Sequence, residues 1–545
     1  MRAASTTEEV SPGTPFNRFV TLLDTTAVRL ARILSQRTLL FLSLFSAVYF
    51  AVTCYRASRK LFWFDEIFTV YLSNLPDWKS LWTALTHGVD FNPPLLYIFT
   101  RFSESLLGQG HLGARFPEIC GFWVFCLCLF RFVSFRTNAL GGFIAVMVPL
   151  ITTAYWYAYE ARSYGIVLGF CGVALICWQA ATERTTHRSW ILAGLGAALF
   201  CALSTHSYAV LLFAPFVIGE FTRTLIRRRA DGKLWLAILL PVLAILLSVP
   251  LLHQAKSILT GQFSASVTGI LKTYQFLFVP GAGVWAAILV FFCIGQIAGH
   301  ERTTSDPSAE PDIGEASHAT ALLTAYEVAA ALAFLALPFF SFLVARVAHT
   351  PVLPRYSLGA VAGFACLLGG ACARRVLLGS TMLLVISAQI AVDLWSFLWS
   401  PYLTEPITSV SVSTSLKTYE EQYKWIASDS HKQIPVVFLD NLEFAQSFHY
   451  APAEIASRLM YLSLSEDANG DGYSRLIRYS QARGRVSSLP DLLATSRTFL
   501  AYTPFRSNWI TGRFIDDGAS VSVEKMSWDH ALYLVTYGSR PSTLR

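Results

Sequence analysis

Charge is what this sequence has little of. Only 14% of its 545 residues are Asp, Glu, Lys or Arg, against roughly 25% in an ordinary soluble protein. With 54% hydrophobic residues and a mean hydropathy of +0.47, this excludes a soluble protein. The basic residues are scattered between apolar runs and form no continuous patch, which excludes nucleic acid as a partner. Cysteine is equally uninformative as chemistry. All ten fall in or beside apolar runs, none follows Cys372, and Cys126 and Cys128 are separated by a single residue. They read as small hydrophobes and exclude a disulfide frame or a zinc site. There is no GxxxxGK[ST] loop, which argues against an ATP-driven pump, and no internal repeat.

What is present is a series of apolar runs at 38–54, 117–135, 139–158, 163–181, 190–206, 208–222, 234–251, 270–298, 319–345, 355–373 and 376–398. A bilayer crossing needs about 20 such residues, so the sequence predicts a polytopic α-helical membrane protein with about eleven transmembrane helices. The first run starts too late, and lacks the small-residue cleavage site, for a signal peptide. With the N-terminus (1–37) in the cytoplasm, Arg131, Arg136, Arg184, Arg188, Arg227, Arg228, Arg229, Arg374 and Arg375 all fall inside. The short outside loops then keep only Arg162, Lys256, Lys272, Arg346 and Arg355. This asymmetry follows the positive-inside rule. The +7 net charge is therefore a topology signal and does not call for an anionic partner.

An odd number of spans puts residues 401–545 outside. Hydrophobicity falls there, and strand-like runs appear at 435–440, 497–502 and 530–537 with helix-compatible stretches between them. A small C-terminal extracytoplasmic α/β domain is expected. The stretch Asp467-Ala-Asn469-Gly-Asp471-Gly472 imitates a calcium loop, but its twelfth position is Arg478 where a bidentate Glu is required. The polar, proline-containing segment 299–318 reads as a disordered cytoplasmic loop.

The chemistry concentrates in the first outside loop, 55–116, within an expected catalytic region spanning 38–400. Asp65 and Glu66 are adjacent carboxylates among aromatic and aliphatic residues. Apolar surroundings and a neighbouring like charge tend to raise a carboxyl pKa, as a general base often requires. The plainer account is a pair of acids at a helix N-terminus. The same loop holds Asn92-Pro93-Pro94 and Arg115-Phe116-Pro117.

The combination resembles the GT-C superfamily of membrane glycosyltransferases, in the branch of the protein O-mannosyltransferases and bacterial aminoarabinose transferases. The similar features are the Asp65-Glu66 pair after the first helix, Pro93-Pro94-Leu95-Leu96-Tyr97, Tyr159-Glu160-Ala161-Arg162-Ser163-Tyr164, and Pro354-Arg355-Tyr356. The resemblance covers most of 38–400. It implies a polyprenyl-phosphate-linked sugar as donor and transfer to an acceptor on the outer face of a cell membrane, by inference the bacterial inner membrane. It makes Asp65 the catalytic base and Glu66 its acidic partner, orienting the acceptor or holding a divalent cation. Arg162 and Arg355 become donor-phosphate ligands. Arginine suits that role because it is permanently charged and grips phosphate oxygens in bidentate fashion. Asn92, Arg115, Glu160, Tyr164, His206, Lys256 and Tyr356 are further expected substrate contacts.

Each has a structural alternative. Arg162 can pair with Glu160, His206 can be a satisfied interfacial histidine, Lys256 can be an interfacial lysine, and the isolated His87 and His349 are not metal sites. Glu327 is expected about two turns into a span, buried and in need of a partner. A lipid-linked sugar flippase and a glycan polymerase or ligase are the rival functions. The absence of paired repeats and the acids gathered in one loop favour a transferase.

Overall fold

The computed structural model describes residues 15–183, 186–246, 248–251, 253, 266–286, 322–348, 353–399, 416–427, 433–463, 475–476, 486–504, 509–527 and 530–538. Lys256, His349, Cys293, the 299–318 segment and the Asp467–Asp471 stretch lie outside these residues.

The chain begins with an amphipathic helix, α1 (Pro15–Gln36), followed by the apolar α2 (Thr38–Arg59). The segment between α2 and the next long helix holds three short helices, α3 (Phe64–Ser73), α4 (Trp78–Thr86) and α5 (Leu95–Leu107). It runs from 60 to 110, shorter than the expected 55–116, because both flanking helices extend beyond their apolar runs. The long helix α6 (His111–Arg136) packs on α2, α5, α7 (Ala139–Met147) and α8 (Tyr164–Glu183). Pro117 lies inside α6 and cannot donate to the Gly113 carbonyl. The Ser103 hydroxyl donates to that carbonyl instead, at 2.6 Å.

The α6–α8 contact is backbone to backbone. A Cβ at Gly121 would lie 2.6 Å from the Gly165 oxygen, and one at Gly169 would lie 2.6 Å from the Gly121 oxygen. Small residues allow this approach in apolar surroundings, where van der Waals packing drives helix association.

The bundle continues with α9 (Arg188–Thr205), α10 (Phe213–Arg227), α11 (Gly232–Leu239), α12 (Thr268–Phe278), α13 (Ala325–Leu335), α14 (Leu337–Ala348), α15 (Ala360–Cys372) and α16 (Val376–Trp399). Among the described residues six helices are long and apolar enough to cross a membrane, or eight if each bent pair is one span. This is fewer than the expected eleven, for identifiable reasons. The 139–158 run bends by 74° at Thr152 and the 319–345 run by 56° between α13 and α14. Gly232–Ala244 and Ala360–Cys372 are too short for a full crossing. The 270–298 run is described only as far as residue 286.

Glu327 also differs from its expected position. The helix starts at Ala325, so Glu327 sits in the first turn. It accepts from the Thr324 amide at 2.8 Å, from Arg136 Nε at 2.9 Å and from the Gln179 amide at 2.9 Å. The buried acid is a helix cap with a cationic partner.

After α17 (Leu416–Ile426) comes a six-stranded sheet, order β3-β2-β1-β4-β6-β5. Strands β1 (Val436–Phe438), β4 (Thr498–Pro504) and β6 (His530–Tyr537) fall on the three strand-like runs, while β2 (Leu459–Leu462), β3 (Val486–Ser487) and β5 (Ala519–Met526) are additional. β1 pairs in parallel with β2 and β4, and β6 pairs antiparallel with β4 and β5. All three residues of β1 are buried, as expected of a central parallel strand covered on both faces. Helix α18 (Asn441–Tyr450) covers one face and packs against α3.

Candidate functional site

The site is built where α2 ends. Arg115, fully buried in the first turns of α6, uses all five of its N–H groups. Nη1 donates to the carbonyls of Ala57 and Lys60, each at 2.6 Å, and Nη2 donates to Leu61 O at 2.9 Å and Glu66 Oε2 at 2.7 Å. Nε donates to Glu66 Oε1 at 2.7 Å. A cation thus satisfies carbonyls left over at a helix C-terminus and fixes the turn into α3.

Glu66 is fully buried as well. Besides Arg115 it accepts from the Trp63 amide at 3.2 Å and the Ala161 amide at 2.7 Å. Burial pushes its carboxyl pKa up, but the Arg115 charge and hydrogen bonds outweigh burial and hold it below the usual value. Arg115 thus has every N–H, and Glu66 both oxygens, engaged by protein groups, which leaves neither of them a group for the contacts expected of it.

Asp65 occupies the turn beside Glu66, but adjacent helical residues point about 100° apart. Its side chain is 24% exposed, with Oδ2 3.7 Å from Arg355 Nη2 and 3.9 Å from Arg162 Nε. Arg162 is buried and donates through Nη1 to Asp90 Oδ2 at 2.8 Å and to the Asp65 carbonyl at 3.2 Å. Asp90 also accepts from the Phe91 amide at 2.7 Å and from Asn92 Nδ2 at 3.3 Å. Burial works against the Asp90 carboxylate, yet the Arg162 charge and hydrogen bond hold its pKa below normal. Arg162 in turn stays protonated despite burial, because Asp90 and Asp65 face it.

Three buried donors in this region find no acceptor among the described residues: Arg162 Nε, Arg355 Nε and Trp63 Nε1. Such groups are costly unless a ligand or solvent meets them. An aromatic wall adjoins them. Tyr164 lies 4.8 Å from Tyr157 and 5.4 Å from His206, and Tyr356 stacks on Tyr208 at 3.8 Å. His206 accepts the Tyr208 amide on Nδ1 at 3.0 Å. Burial, then the charges of Arg162 and Arg355, push its pKa down to about 3.

The fold therefore brings together Asp65, Arg162, Arg355, Tyr164, His206 and Tyr356. Asn92 lies behind them as a buried donor to Asp90. Glu160 pairs with Lys60 at 2.8 Å, so the alternative pairing with Arg162 does not form. Asp90 is the residue that sequence reasoning missed. It stood in the quoted 90–97 segment, but its pairing with Arg162 spans 72 positions, and no local pattern reports that.

Asp65 and Glu66 do not fit a divalent cation. Glu66 offers no oxygen, two guanidinium groups already face Asp65, and no cluster of three or more metal-ligating side chains occurs among the described residues.

No protein-family model matches the chain, and no curated protein matches it. Two crystal structures of ArnT from Cupriavidus metallidurans do. The apo structure covers 91% of this chain and 97% of its own, with 13% identity and a TM-score of 0.56. The structure bound to undecaprenyl phosphate covers 91% and 98%, with 12% identity and a TM-score of 0.54. At such identity the likeness speaks for the fold alone: this chain shares the overall fold of the two ArnT structures.

Proposed function

We propose that this protein is an integral membrane glycosyltransferase that moves a sugar from a polyprenyl-phosphate donor to an acceptor on the extracytoplasmic side. The observation that carries the reading is the pair of buried arginine Nε donors, of Arg162 and Arg355, without acceptors among the described residues, gathered around one partly exposed carboxylate. A phosphate diester satisfies those donors, and an acceptor hydroxyl or amine satisfies the carboxylate.

In the proposed reaction the acceptor's lone pair attacks the anomeric carbon as Asp65 takes its proton. The bond from that carbon to the phosphate oxygen breaks, and the electron pair leaves with polyprenyl phosphate, whose added charge Arg162 and Arg355 stabilise. A single displacement inverts the anomeric centre. Catalysis rests mainly on positioning and preorganised charge. Asp90 holds Arg162 in place, and His206 stays neutral beside the phosphate site.

The donor's chain has a suitable path. An apolar cavity of about 1010 Å³ lies between α1, α2, α7, α12 and α16, walled by residues such as Phe45, Val48, Met147, Phe276 and Leu384. Tyr155 and Tyr159, in the turn leading to Arg162, also line it. One of the structurally similar ArnT crystals holds undecaprenyl phosphate, which agrees with such a donor. The positive-inside pattern supports a cytoplasmic N-terminus and an outward-facing first loop, and the apolar cluster that this loop shares with the sheet supports an extracytoplasmic 401–545 domain on the same side; the membrane proposed is a bacterial inner membrane.

The test is release of polyprenyl phosphate from candidate polyprenyl-phosphate sugars by the purified protein in lipid vesicles supplied with a cell-envelope extract as the source of acceptor hydroxyls and amines. Asp65→Asn is expected to lower the rate by at least about 100-fold. Wild-type turnover by Asp65→Asn, or no release from any donor, overturns the reading.

A further inference from the structure

The C-terminal domain is joined to the catalytic end of the bundle by more than proximity. Phe62, Ile67, Phe68 and Leu72 of the first loop share one buried apolar cluster with Phe438, Phe444, Leu500 and Tyr502 of the sheet and α18. The two parts therefore cannot separate without exposing a common core.

Beside a side-chain contact of Tyr71 Oη with His449 Nδ1 at 3.3 Å, three side chains of the domain reach two particular stretches of backbone. Tyr450 Oη accepts from the Phe62 amide at 2.6 Å and lies 2.9 Å from His111 Nε2, and Gln446 Nε2 donates to the Phe62 carbonyl at 3.0 Å. Both backbone groups of Phe62 are thus held by α18, three residues before Asp65. The second stretch is 88–90. Buried Arg475 donates through Nε to the Gly88 carbonyl at 2.9 Å, two residues before Asp90. Asp65 and Asp90 are the two acids that face Arg162.

From this geometry we infer that the C-terminal domain is a brace for the catalytic loops, with Tyr450, Gln446 and Arg475 as positioning residues. The inference rests on the proposed transferase reading and assigns that domain a task the sequence does not disclose. The two contacts divide the task. Tyr450 and Gln446 set the backbone that aims Asp65, the base. Arg475 sets the backbone that carries Asp90 and so seats Arg162 against the donor phosphate. Misplacement of a catalytic group by fractions of an ångström is enough to slow a reaction whose rate comes from orientation.

The split makes the inference testable in the full-length protein. Tyr450→Phe removes one hydroxyl and is expected to lower kcat about fivefold while donor KM stays within about twofold. Arg475→Ala is expected to raise donor KM about fivefold with kcat within about twofold, and Arg475→Lys should recover part of that loss. Should Arg475→Ala fail to fold, Tyr450→Phe with Arg475→Lys still decides the matter. Lowered thermal stability with unchanged kcat and KM in these variants would mean ordinary domain docking and overturn the inference.

Binding of undecaprenyl phosphate to the same proteins, measured without turnover, separates the two levels. If the wild type binds it but transfers no sugar, the transferase reading fails alone. The brace then stands if Arg475→Ala weakens binding and Tyr450→Phe does not, and falls if neither does. Absence of binding by the wild type refutes both.

Discussion

Neighbouring carboxylates in one dipeptide should behave as opposites when neutralised. Glu66 accepts four N–H bonds, two from Arg115 and one each from Trp63 and Ala161, and both ion-pair partners are fully buried. In Glu66→Gln the new amide nitrogen must replace one oxygen. In either orientation an NH2 group then confronts two N–H donors, and Arg115 keeps a buried charge without a counter-charge. Breaking a buried pair in this way costs about 3 to 5 kcal/mol, and about 3 kcal/mol alone shifts the folded-to-unfolded ratio by more than 100-fold. Asp65 is partly exposed and its nearest ion-pair distances are 3.7 and 3.9 Å. Asp65→Asn should therefore cost less than about 1 kcal/mol while losing sugar transfer. The assay is a denaturation midpoint for each purified variant in detergent, beside the rate of polyprenyl phosphate release. A Glu66→Gln protein as stable as Asp65→Asn would refute the framework role of Glu66. So would one that matches Asp65→Asn in losing activity without losing stability.

Two further outcomes follow from the same geometry. A Cβ at Gly165 would lie 2.5 Å from the Glu118 carbonyl oxygen and 2.9 Å from Glu118 Oε2, which accepts the Ile166 amide at 2.8 Å; Gly165→Ala should destabilise the protein by about 1 to 3 kcal/mol in a denaturation assay. Asp90 has a folded-state pKa below its ordinary value, so its contribution to stability is fully present above the unfolded value of about 3.9 and is lost as pH falls through the lower folded value. The stability gap between wild type and Asp90→Asn, about 3 to 5 kcal/mol at pH 7, should stay constant down to about pH 5 and narrow below about pH 4. A gap that instead widens on acidification would contradict the Asp90–Arg162 pairing.

The composition alone determined that the chain lives in a membrane, because a sequence with 14% charged residues cannot cover a soluble surface. Run length likewise located the long apolar helices, and strand-like runs located three of the six strands of the tail, since burial dictates those patterns locally. The order of short motifs, through the family resemblance, singled out Asp65, Arg162 and Arg355, three side chains that the fold brings together in pairs through Asp65, at 3.9 Å from Arg162 and 3.7 Å from Arg355. Tertiary structure decided which charge meets which. Glu66 and Arg115 look like site residues in sequence, yet 49 positions of chain fold back to pair them in the dry interior. Arg162 has an acid two positions away in Glu160, but the turn at 160–163 aims it at Asp90 and gives Glu160 to Lys60. The bends within two of the apolar runs were also beyond the sequence, since hydropathy averages over a 74° bend as readily as over a straight helix. Local patterns record how much of each side chain must be buried. Partners, bends and the grip of the C-terminal domain on Phe62 and Gly88 depend on which distant segments arrive together, and only the folded chain fixes that.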